Sequence, residues 1–244
     1  MSALSTVVRT ELRLFLRDPV TVAVAVALPS LVLLGLAAVP ALRNPIEPTG
    51  DLSFVAFFAP SLLAMSVAVL GFQVLPTGLA TYRERGVLRR LSATPMRPAT
   101  VLLVQLVINL VTATVGAALV VAVAVGVLDV PAPRHPVGFA TTFLVGTAAV
   151  FAVGLFLAAQ APRARTASGL GTLLFVLAMF ASGVYLPRFL LPDWLLRIAD
   201  FVPPGAGMLW EAWVGTGFAW APLLVLAGTA LAATAGAARF FRWE

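Results

Sequence analysis

Runs of about twenty apolar residues recur along this chain. That is the length a helix needs to cross the hydrocarbon core of a bilayer, roughly 30 Å thick. The runs fall at residues 20–39, 52–80, 100–128, 139–159, 167–186 and 218–238. Inside a bilayer the backbone N–H and C=O groups have no water to bond, so segments of this kind must satisfy them internally as helices. The pattern therefore predicts an all-α integral membrane protein of six spans, forming one domain over residues 1–244. A mean hydropathy of +1.02, with 61% hydrophobic and 11% charged residues, leaves no soluble alternative. The second and third runs are over-long and require tilt or projection beyond the bilayer. Pro29 is expected to kink the first, and Pro60, Gln73, Pro76 and Gly78 interrupt the second.

Composition also removes several chemistries. All sixteen basic residues are Arg. A phosphate-binding GxxxxGK[ST] loop needs Lys and cannot occur here. With no Cys, disulfides, thiolate metal sites and cysteine nucleophiles are excluded. The net charge of +6 does not argue for nucleic acid, because in a membrane protein the distribution of Arg carries the information.

That distribution is uneven. Residues 4–17 read as an amphipathic helix lying on the membrane, with Leu4, Val8, Leu12 and Phe15 on one side and Arg9, Arg13 and Arg17 recurring every fourth residue on the other. The next apolar run is too long for a signal-peptide core, so this segment is expected to be retained. Residues 81–98 form an arginine island holding Arg83, Arg85, Arg89, Arg90 and Arg97, and residues 160–165 form a smaller basic loop. With six spans, twelve arginines fall on one side and four on the other. The positive-inside bias then places both termini, the island and the smaller loop in the cytoplasm. The acidic residues Glu47, Asp51, Asp129, Asp193, Asp200 and Glu211 lean to the opposite side. Residues 187–213 are apolar but broken by prolines and acids; they read as short helices dipping into the outer interface, with Trp194, Trp210 and Trp213 at headgroup depth.

Few residues suit covalent chemistry. His135 stands alone in a Pro-rich outer turn, and no carboxylate falls in the middle of a predicted span, where a proton or ion relay would place one. No catalytic residue, metal site or cofactor site is assigned. Gln73, Gln105 and Asn109 are polar residues within spans, and the last two lie four apart on one helix face. They either hydrogen-bond between packed helices or line a substrate path. In the island, a helix over 84–93 would put Val87, Leu88 and Leu91 together with Glu84 on one side and Arg85 and Arg89 on another, before the stop at Thr94 and Pro95. An apolar ridge rimmed by arginine suits a groove on a soluble partner; a basic loop also suits anionic lipid. Glu11 holds a similar position within the apolar face of the first helix.

The run ERGVLRRLSATPMRP at 84–98 resembles the loop after the second span of type-2 ATP-binding-cassette transporter permeases. The run SGVYLPRFLLPDWLLRIADFVPPG at 182–205 is similar to that family's outer re-entrant segment. The closest look is to daunorubicin-resistance-type drug-export permeases. One departure is Pro203-Pro204-Gly205, where the family often has Asn-Pro. The resemblance implies a plasma-membrane permease subunit moving an amphipathic drug-like or lipidic substrate outward by alternating access. It implies a coupling helix built from Glu84, Arg85, Gly86, Val87, Leu88, Arg89, Arg90 and Leu91, seated on a cytoplasmic ATPase. It also implies two such ATPase subunits carrying ATP and Mg, and a second copy of this permease or a related one. Residues 4–17 would be the interfacial helix meeting the coupling region, which offers Glu11 and Glu84 arginine partners. Other readings of the same residues are a permease for a lipid-linked glycan or polysaccharide, an integral-membrane enzyme acting on lipid through Asp193, Asp200 and Glu211, and a membrane scaffold.

Overall fold

The computed structural model describes residue 9 and residues 11–13, 15, 17–45, 52–87, 98–186, 188–215 and 219–240. Those residues are overwhelmingly helical and form no strand; an isolated bridge between Pro45 and Ser53 closes the first polar connection. Arg9, residues 11–13 and Phe15 are helical. Leu12 is exposed beside Arg9 and Arg13, while Glu11 and Phe15 are turned partly inward.

Helix α1 is one run composed of Pro19–Val22, a π turn at Ala23–Ala27 and Leu28–Ala37. It ends where Val39 turns extended ahead of Pro40, as residues before proline do. Helix α2 spans Phe54–Glu84 and carries a second π turn at Val69–Val74. Ser53 starts it by accepting a hydrogen bond from Ala56 N at 3.2 Å. Then follow α3 (Pro98–Gly126), α4 (Pro136–Gln160), α5 (Ala164–Ala181), the short α6 (Asp193–Ala199) and α7 (Ala206–Trp213), and α8 (Trp220–Phe240). Five of them are long and apolar enough to cross a membrane: α2, α3 over Leu103–Gly126, α4, α5 and α8. The apolar part of α1, Ala23–Ala37, is shorter, so the six expected spans appear as five helices of crossing length and one short one.

Helix α2 is the centre of the bundle. Its most apolar window is 89% buried, against 22% for α8, which packs on the outside along α4. The upper part of α2 meets α1, α3 and α7, and the lower part meets α4 and α5. Leu103, Val107, Val111, Val115 and Leu119 recur every fourth residue along an exposed stripe of α3, which suits lipid.

Both π turns sit just before a proline, and the reason is local. Proline has no N–H and its ring displaces the carbonyl four residues back, which is Ala25 for Pro29 and Phe72 for Pro76. Those carbonyls face glycines of neighbouring helices. A β-carbon at Gly116 of α3 would lie 3.0 Å from Ala25 O, and one at Gly171 of α5 would lie 2.0 Å from Phe72 O. Gly154 of α4 approaches Gly71 O in the same way, at 2.0 Å from its would-be β-carbon. The bilayer supplies little hydrophobic drive between helices, so close backbone approach at small residues holds the bundle.

Two expectations change here. The arginine island was expected to begin at residue 81, but α2 continues through Glu84 and turns at Arg85 and Gly86, the latter at φ +66°. Glu84 therefore closes α2 and does not open the next helix. Of the three tryptophans expected at headgroup depth, Trp194 is 63% exposed and the other two pack inward. Trp213 is buried, stacked edge-on against Phe139 with centroids 5.4 Å apart, and its Nε1 donates to Pro131 O at 2.9 Å. Trp210 packs against Phe57. The backbone of α7 explains the difference: Arg134 N and His135 N donate to the carbonyls of Trp213 and Ala212, drawing this helix under the turn between α3 and α4.

Candidate functional site

Three consecutive residues at the end of α2 reach three different elements. Arg83 Nη1 donates to Ala158 O at 3.1 Å and to Ala161 O at 2.9 Å, at the C-terminal end of α4. Glu84 Oε1 accepts from Ala164 N at 2.9 Å, at the first residue of α5. Tyr82 Oη donates to Glu11 Oε2 at 3.0 Å, in the N-terminal helical segment. The last carbonyls and first N–H groups of helices lack intrahelical partners, and helix dipoles favour a cation at the C-terminus and an anion at the N-terminus. Arg163, at the N-cap of α5, makes no side-chain cap bond, so Glu84 supplies from another helix the acceptor that the local sequence lacks. Ala80, Ala161 and Ala167 pack closely beside these bonds, with Ala164 against them. The end of α2 is thereby joined to α4 and α5 by charge as well as by contact.

Beside this clamp is a cavity of about 500 Å³. Gln73 of the second predicted span and Gln105 and Asn109 of the third all line it, together with Glu11, Tyr82 and Ser168. Gln105 Nε2 reaches Glu11 Oε2 at 3.4 Å, and Asn109 Nδ2 donates to Gln105 O at 2.8 Å. Asn109 is 5% exposed and its Oδ1 has no partner.

The remaining predicted site residues divide plainly. Arg85 is exposed, Gly86 makes the turn, and Val87 is half-buried. Leu88, Arg89, Arg90, Leu91, Thr94 and Pro95 lie outside the described residues. Arg9, Arg13 and Arg17 are exposed. Among the described residues, Glu11 bonds with Tyr82 and Gln105, and Glu84 with the Ala164 backbone. Sequence reasoning treated Tyr82 and Arg83 only as members of a basic loop. Their signal was the polar run Thr81 to Glu84 at the exit of an apolar helix, followed downstream by an α5 start with no good capping residue.

At the opposite end, Arg188 pairs with Asp200 at 3.2 Å and lies 5.9 Å from the centre of the Trp210 ring. Glu211 stands near both charges; burial pushes its carboxyl above the usual range, Arg188 offsets part of the rise and Asp200 adds to it. Asp193 lies in the first turn of α6. Among the described residues no group of three or more His, Asp or Glu is arranged to hold a metal.

Such a bundle, with a central helix clamped to its neighbours at one basic end, defines a multi-pass helical membrane protein. The family model described as ABC-2 type transporter matches residues 2–208, which is most of the chain, and the chain belongs to that family. No curated protein and no solved structure matches it. The chain is thus the permease component of an ABC transporter and not itself the catalytic subunit, and membership implies association with an ABC ATPase subunit.

Proposed function

We propose that this permease belongs to an ATP-driven exporter that moves an amphipathic drug-like or lipidic molecule out of the cytoplasm by alternating access. In this reading the chain is one domain of six spans in the plasma membrane, nearest in kind to daunorubicin-resistance-type permeases, with both termini in the cytoplasm. Two ATPase subunits carry ATP and Mg, and a second copy or a related permease completes the complex. Residues 84–91, with the stop at Thr94 and Pro95, dock on the ATPase.

The observation that carries this reading is the paired attachment of Arg83 to α4 and Glu84 to α5. A loop pushed by a partner would be mechanically idle if it ended in a frayed helix. Here it leaves from the last turn of the most buried helix in the bundle, at the residues that grip two further spans. A displacement of that turn is delivered to three helices together.

The test is ATP hydrolysis by the cognate ATPase reconstituted with the permease in liposomes. Replacing Glu84 with Ala is expected to reduce permease-dependent stimulation by about tenfold, the scale of an ordinary coupling free energy, while the complex still assembles. Stimulation equal to wild type in both Glu84→Ala and Arg83→Gln would overturn the coupling role.

A further inference from the structure

Helices α4 and α8 begin at the same end of the bundle, and a pocket of about 300 Å³ lies between their first turns. Its wall is the turn before α4, the first two turns of α4, and Trp220, the first residue of α8. At 1.5 Å per residue the 25 residues of α4 extend about 38 Å, more than the roughly 30 Å hydrocarbon core, so this end emerges at headgroup depth. The one full charge on the wall is positive: Arg134 lines it beside His135, and no carboxylate does. Arg134 is exposed, and among the described residues its guanidinium makes no hydrogen bond or ion pair. The His135 side chain makes no bond to cap α4. Thr141 spends its hydroxyl hydrogen on its own helix, at the Val137 and Gly138 carbonyls. The backbone N–H groups of Arg134 and His135 donate to the carbonyls of Trp213 and Ala212, which fixes the turn that presents the two side chains.

From this pocket both helices carry apolar side chains outward along the bilayer. Val137, Thr141 and Leu144 share one face of α4, and Val137 and Leu144 are strongly exposed. Trp220 and Leu224 share one face of α8, exposed by 64% and 70%. We propose that this pocket holds the phosphate of an anionic phospholipid from the leaflet in which α4 and α8 begin, with Arg134 and His135 donating to it and the acyl chains lying along Leu144 and Leu224. A guanidinium is a fork of five donors with no acceptor, and it meets phosphate oxygens two at a time. The occupant is a lipid because the charged wall sits at headgroup depth and runs directly into exposed apolar faces, with a tryptophan at the boundary between them. A headgroup of net negative charge is favoured over choline, whose quaternary ammonium would set a second cation beside Arg134. The site is independent of the export reading.

The test uses the full chain in phosphatidylcholine nanodiscs doped with phosphatidylglycerol or phosphatidylcholine carrying a nitroxide quencher near the top of one acyl chain. Emission lost from Trp220, taken as the difference between each protein and its Trp220→Phe counterpart, reports lipid at the pocket. Labelled phosphatidylglycerol is expected to reach half-maximal quenching at about one-fifth the concentration that labelled phosphatidylcholine needs, the scale of one arginine at an anionic lipid surface. Arg134→Gln should abolish that preference, and the exposed side chain can be changed without disturbing a packed contact. Arg197→Gln removes an exposed arginine of α6 that has no place in the lining, and should leave the preference intact. Equal quenching by the two lipids in wild type, an unchanged preference in Arg134→Gln, or an equal loss in Arg197→Gln would overturn the site. Inorganic phosphate, compared with sodium chloride at the same ionic strength, should not relieve quenching by labelled phosphatidylglycerol. Relief would overturn the lipid as the occupant.

Discussion

Glu84 Oε1 and Ala164 N lie 2.9 Å apart, so the last residue of the second helix caps the first residue of the fifth. Eighty positions separate them in sequence. The bond lies at the exposed end of the bundle, where water competes for both partners, so its value for stability is modest, about 0.5–1.5 kcal/mol. In the permease alone, Glu84→Ala should lower the thermal midpoint only slightly. A large loss of stability would show that the carboxylate serves the fold and not the coupling of helices.

The close approaches at Gly154 and Gly171 give a sharper expectation. An alanine at either position would place its β-carbon 2.0 Å from a backbone carbonyl of the π turn, which cannot swing aside as a side chain can. Each substitution should cost about 1–3 kcal/mol or more through overpacking. Gly35→Ala is the control, since nothing lies within 4 Å of its would-be β-carbon. It should be neutral or stabilising by about 0.5–1 kcal/mol, because alanine loses less chain entropy in a helix. Thermal melts in one detergent would rank the three, and equal midpoints for Gly171→Ala and Gly35→Ala would refute the packing account.

At the Arg188 and Asp200 pair, Gly207 leaves the space into which both side chains reach; a β-carbon there would meet Asp200 Oδ1 at 1.7 Å and Arg188 Nη1 at 2.9 Å. Gly207→Ala must therefore displace the ion pair. Arg188→Gln should cost about 1–3 kcal/mol, since it leaves Asp200 without its cation. The double variant should be less destabilised than the sum of the two singles, because both remove the same interaction. Strict additivity in a thermal double-mutant cycle would contradict this.

Glu211 determines a pH dependence. Burial raises its carboxyl above the ordinary value of 4.5, so the folded state holds the proton more tightly than the unfolded chain does. This contribution to stability is complete below about pH 4.5 and is lost as pH rises through the folded value. Glu211→Gln, which cannot ionise, should remove that slope and be relatively more stable than wild type at the upper end of the window. Parallel melting profiles for the two proteins from acid to neutral pH would count against it.

Much of this fold is legible in the chain because bilayer physics is one-dimensional at first order. Apolar run length marked α2, α3, α4, α5 and α8 to within a few residues at most ends, and proline placement marked where helices would deform. The spacing of Gln105 and Asn109 put them on one face, and both line the same cavity. The run at 20–39 likewise matches α1, Pro19–Ala37, although an apolar count does not register its π turn or the extended residue before Pro40. The burial of Trp213 was not legible either, since it depends on a carbonyl at Pro131 that a distant helix brings within reach.

What the sequence determined by itself is the class: a multi-pass helical membrane protein whose charge gathers at one end and which lacks the lysine of a phosphate-binding loop. What only tertiary structure decided is where the charges of that end are used. Helical phase assigned Glu84 to the ridge of a following helix; folding instead ended α2 at that residue and aimed its carboxylate at α5, with Arg83 aimed at α4. Periodicity reports neighbours within one helix, at separations of three or four residues. A capping bond between the end of one helix and the start of another depends on how the spans pack, which no local spacing records.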